Sequence, residues 1–106
     1  MTKVDNKLDI ILEYEARLHQ EYEQQKFISY FAKEWVNNTI EKCKEEISVL
    51  NKIILHNDIA VRNAPHDLCK NPLLRNRAFY TQDKGVTEEC LIVSERMLKY
   101  IEEREK

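Results

Sequence analysis

His66 and Cys69 stand three residues apart, a spacing at which a neutral imidazole and a thiolate on one helical turn can face the same ion. No second pair completes such a site: Cys43 and Cys90 fall on apolar stripes, where a free thiol packs as a small hydrophobe, and His19 and His56 have no ligand partner at a suitable spacing. No metal and no cofactor is therefore expected. The same His66 and Cys69 are the nearest approach to a nucleophile with a base, and they lack a third, orienting group. Glu13 with Glu15, and Glu45 with Glu46, lie two apart or adjacent, so on a helix they point in different directions and read as solvated faces. The Glu-x-x-His motif of helical di-metal sites is absent from the chain. These absences argue against an enzyme.

Two surfaces could act by binding. Between residues 60 and 84, Arg62, Lys70, Arg75, Arg77 and Lys84 are interleaved with Phe79 and Tyr80. Cations beside rings can hold phosphates and stack a base, so Arg62, Lys70, Arg75, Arg77, Tyr80 and Lys84 are the expected contacts of a nucleotide or RNA ligand. Arg75 and Arg77, two apart, cannot share one face of a regular helix, which weakens that alternative. The second surface is aromatic. Phe27, Phe31 and Trp35 form one stripe at helical spacing, Tyr14, Tyr22 and Tyr30 another, and a small bundle can hardly bury both. The expected protein interface is Leu8, Ile11, Phe27, Phe31 and Trp35, and the leading reading is a non-enzymatic protein that binds a protein partner and forms a homodimer.

The run Arg62-Asn63-Ala64-Pro65-His66 resembles the Arg-polar-spacer-His signature of the HEPN ribonucleases, all-helical proteins in which Arg and His act on RNA phosphates. The likeness covers only this short run. Its spacer is shorter than that family's, and Pro65 breaks the helix that would present the pair, so no residue role is carried over.

The elements that must carry these residues are helices. From Val4 to Val61 there is no Gly or Pro, and apolar residues recur by threes and fours. Thr2 with Asp5 resembles a capping box, so the first helix is expected to begin there. Its stripe is Val4, Leu8, Ile11, Leu12, Leu18 and Tyr22. A second stripe, Val36, Ile40, Cys43, Ile47, Leu50 and Ile54, steps 4-3-4-3-4 in a rotated register. The shift requires a join, and the polar stretch of residues 19 to 25 is the expected place, ahead of Asn37-Asn38-Thr39. If the first helix folds back there it covers the second; if it runs on, its apolar face is left for another copy. Past Asn63, Asn71 and Pro72 read as the start of a short helix to Tyr80, Gln82 to Gly85 as a loop, and Thr87 as the cap of a last helix with Val86 and Leu91 as its staple. The expected fold is all-α, one domain over residues 1 to 106: a small antiparallel helical bundle with a long central helix and a short helical insertion before the C-terminal helix.

Composition agrees with this outline. One glycine in 106 residues leaves no turn chemistry for hairpins and no phosphate-cradling glycine loop. A net charge of -2 offers no global basic excess for duplex binding, although residues 60 to 84 carry five basic side chains against two acidic. No apolar run approaches a membrane span, and three cysteines without a C-x-x-C pair suit a reducing, cytoplasmic setting. Lys, Asn and Ile number 29 against six Ala and Gly, the bias of an AT-rich genome, for which a phage or mobile-element accessory protein or inhibitor is the expected source.

Overall fold

The computed structural model describes residues 3 to 25 and 30 to 105, with side chains described for 7 to 23 and 32 to 104. Three helices account for every described residue except 64 to 66: α1 (Lys3–Gln25), α2 (Tyr30–Asn63) and α3 (Asp67–Glu105). The fold is all-α, with no strand among the described residues.

Residues 19 to 25, the expected join, are instead the last two turns of α1. The reason is Tyr22, which is buried and meets the Tyr100 ring edge-on at 5.4 Å, so the apolar stripe of α1 runs on through its polar neighbours. The chain does fold back between α1 and α2, because Lys7 pairs with Glu46 while Tyr14 stacks on Trp35. As α1 rises, α2 descends. Asn37, Asn38 and Thr39 lie inside α2, where the Thr39 hydroxyl donates to the Trp35 carbonyl at 2.8 Å. The expected start at Thr2 lies outside the described residues.

The larger correction concerns the C-terminal third. The expected short helix, loop and last helix are one helix of 39 residues. Asn71 caps nothing; His66 does, its carbonyl accepting from the Cys69 and Lys70 amides at 3.0 and 3.2 Å, with Asp67 in the first turn. Pro72 falls in the second turn, inside the helix. Thr87 is no cap either. It is fully buried in mid-helix, where its hydroxyl donates to the Asp83 carbonyl at 2.9 Å and accepts from Lys7 Nζ at 2.9 Å. A lone interior glycine costs about 1 kcal/mol, less than α3 recovers by packing continuously against α2.

α2 and α3 form an antiparallel hairpin closed by residues 64 to 66, with the Asn57 amide donating to the Leu73 carbonyl at 2.8 Å and Arg77 Nε donating to Asp58 at 2.6 Å near its tip. α1 lies mainly against α3, parallel to it. The core sits where all three helices overlap: Ile11 and Leu18 from α1, Val36, Ile40 and Cys43 from α2, and Cys90, Val93, Met97 and Ile101 from α3. At about 35 Å, α1 is much shorter than α2 and α3, about 51 and 58 Å. Beyond its N-terminal end the hairpin continues, among the described residues, as two helices only. The molecule is accordingly long, 62 × 25 × 16 Å, with a radius of gyration of 18.3 Å, where a compact chain of this length has about 13 Å.

Candidate functional site

α1 leans toward α3, and this opens a cleft on its other side, along α2. Ile10 and Ile11 from α1 and Trp35, Thr39 and Cys43 from α2 line it, with Lys7, Lys42 and Glu46 at its edge. Its volume is about 420 Å³. A second hollow of about 310 Å³, lined by Val49, Leu50, Asp83, Glu45 and Glu46, adjoins it through Glu46.

Local sequence explains the cleft. Ile10, Ile11 and Leu12 are consecutive, and a helix turns 100° per residue, so only one of the three can point at the core. That one is Ile11, 5% exposed, which leaves Ile10 59% and Leu12 39% exposed. Tyr14 and Trp35 stack at 4.0 Å with planes 27° apart, wedging α1 from α2 at one end of the cleft. Burial and the nearby Glu21 push the Tyr14 phenol up, so it stays neutral. At the other end, Lys7 holds Glu46 and Thr87 together, tying all three helices.

Chemically, the lining offers apolar surface, one thiol and three charged groups. Cys43 is its one thiol, and burial pushes its pKa up, against the pull of Lys7 and with the push of Glu46. A thiol in that state is a poor nucleophile. Apolar walls with two lysines and a glutamate at the edge can accept an aliphatic or aromatic side chain and orient it by charge.

Of the interface residues expected from sequence, Ile11 and Trp35 meet in the cleft and Leu8 packs against the core beside it. Phe27, and the side chain of Phe31, lie outside the described residues. Ile10, Thr39, Lys42 and Glu46 were not foreseen. For three of them the sequence holds a signal, the apolar triplet at residues 10 to 12 and the (i, i+4) spacing of Lys42 and Glu46; for Thr39 it holds none.

The six residues expected to contact phosphates do not converge. Lys70, Arg77 and Lys84 recur every seven residues on the side of α3 that meets α2, with Lys70, Tyr80 and Lys84 half-buried there. The Arg77 guanidinium is engaged by Asp58. Arg75 faces away from that seam, and Arg62 is exposed at the end of α2. His66 and Cys69 sit at the hairpin tip, and among the described residues no three His, Cys, Asp or Glu side chains gather as a metal set. No described helix is long and apolar enough to cross a membrane.

No protein-family model matches the chain, and no curated protein or solved structure matches it.

Proposed function

We propose that this chain is a non-enzymatic interaction protein that acts by binding a protein partner in the cleft between α1 and α2. The observation that carries the reading is the cleft itself: apolar walls from Ile10, Ile11 and Trp35, with Lys7, Lys42 and Glu46 at the edge. Tryptophan anchors in largely desolvated pockets dominate the energetics of protein interfaces, and the charged edge supplies register. A side chain from a partner helix or loop can enter a hollow with these walls. Three free thiols fit a reducing, cytoplasmic setting for that encounter. A small phage or mobile-element protein that inhibits a host component would work in this way, by occupancy alone. The alternative, a nucleotide or RNA ligand on residues 62 to 84, has less support because those cations are dispersed and Arg77 is paired.

The test begins with a photo-crosslinking residue at Thr39 in cells that express the chain, followed by titration of the captured protein, purified, against variants. Trp35→Ala is expected to weaken binding by roughly 30-fold, an anchor's worth of about 2 kcal/mol. Lys42→Glu changes an exposed residue, leaves the helices intact, and is expected to weaken binding about 10-fold. A partner that binds both variants as it binds the native chain would overturn the cleft as the site.

A further inference from the structure

α3 carries its α1-gripping chemistry twice. At the covered end, Arg96 donates from Nε and Nη2 to both oxygens of Glu15 at 2.7 and 2.8 Å, and four residues on Tyr100 sets its ring against His19, centroids 4.0 Å apart with the planes tilted by 60°. Twenty-one residues earlier, three heptads back on the same stripe, stand Arg75 and Phe79 with the same (i, i+4) spacing. Val86 and Val93, which pack into or against the core, lie on the stripe between them. α1 does not reach this second set: Arg75 is exposed, and Phe79 is 54% exposed. Val49 on α2, 53% exposed, lines the second hollow with Asp83, near the level at which α1 begins.

We propose that the occupant of this open stripe is α1 of a second copy, in an antiparallel two-fold dimer. Charge points to it. Arg75 is the exposed cation of the open stripe, and α1 carries six acidic side chains against three basic. The outward face of α1 presents exposed Asp9 and Glu13, one turn apart, flanked by exposed Leu12. That is a carboxylate and apolar face for an arginine and a phenylalanine. Length points the same way. Lys7 is level with Thr87, so α1 begins near residue 83 of α3, leaving about 24 Å of hairpin open to its start at Asp67. Antiparallel placement lays each α1 over the other copy's open hairpin with the two helix starts at the axis. Both stripes are covered at once, and the assembly closes. This interface is separate from the cleft and stands or falls without it.

The test is native mass spectrometry and sedimentation equilibrium from 1 to 100 µM, with a nitroxide on Cys69, the one exposed thiol, to read orientation. The expected result is a dimer whose two labels stand roughly 45 Å apart, the separation set by about 15 residues of helix on each side of the axis. Arg75→Glu and Phe79→Glu, both at exposed positions, are expected to give monomers of unchanged helicity. Adding Glu13→Arg to Arg75→Glu is expected to restore the dimer, a rescue that general destabilisation would not give. Trp35→Ala and Lys42→Glu are expected to leave dimerisation unchanged. A chain monomeric at 100 µM, a dimer that survives both substitutions, or labels closer than about 20 Å, as in a tip-to-tip pairing, would overturn the proposal.

Discussion

The three thiols differ in what surrounds them. Cys69 is exposed at the hairpin tip, whereas Cys43 and Cys90 are buried in the shared core. Burial first, and the neighbouring Cys43 second, push the Cys90 thiol up to about 11 from an ordinary value near 9.0. Alkylation of the native protein at pH 8 is therefore expected to modify one cysteine, and of the protein in guanidinium all three; two or more fast sites in the native protein would contradict the packing. The sign of the pH dependence follows from the direction of the shift. A thiol harder to ionise when folded favours the folded state only while it is neutral, so its contribution is complete below pH 9 and drains away as pH rises toward 11. Urea titrations at pH 8 and pH 10.5 are expected to show the lower midpoint at the higher pH. From sequence, Cys43 and Cys90 were recognisable as core residues by their stripes. The pairing of Glu15 with Arg96 was not, because 81 residues separate them and neither charge is distinguished from its neighbours by local pattern.

At the scale of elements, α3 shows what misleads a reading of local signals. Gly85 followed by Thr87 and two glutamates reads as a loop and an N-cap. Yet Leu73, Tyr80, Thr87, Ser94 and Ile101 step by seven straight through it, as do Lys70, Arg77, Lys84, Leu91 and Leu98. The pattern was hard to see because the seam includes Thr87 and Ser94, both fully buried, whose hydroxyls are satisfied by carbonyls one turn back. Thr87 reads as a cap by its type and neighbours, whereas it is a buried step of the seam. The end of α2 near Asn63 and the helical character of the whole chain were legible, because glycine and proline are nearly absent and Pro65 is decisive. Gly85 gives a direct check. A methyl group built there meets nothing within 4 Å, so Gly85→Ala is expected to stabilise the protein by about 0.5 to 1 kcal/mol, read as a higher urea midpoint. Loss of stability would mean that residue 85 does not sit in a continuous helix.

The whole molecule is built unevenly along its length. Where α1 overlaps the hairpin, side chains such as Val36, Cys90 and Met97 are fully buried; toward the tip Leu55, Leu68, Leu74 and Phe79 are each about half exposed or more. Local stability follows buried apolar contact, so amide exchange in the isolated monomer is expected to be slowest in residues 87 to 101 and faster at residues 55 to 80. Uniform protection along α2 and α3 would contradict this gradient, and protection gained at 55 to 80 with rising concentration would follow from the antiparallel dimer. The same geometry governs how the protein moves through water. A body 62 Å long and 16 Å thick meets more friction than a sphere of its 12.7 kDa, and its helical N–H bonds lie near the long axis, which reorients only by slow end-over-end tumbling. Gel-filtration volumes and nitrogen relaxation times will therefore both make one copy look like two, and only a shape-independent mass will count the copies.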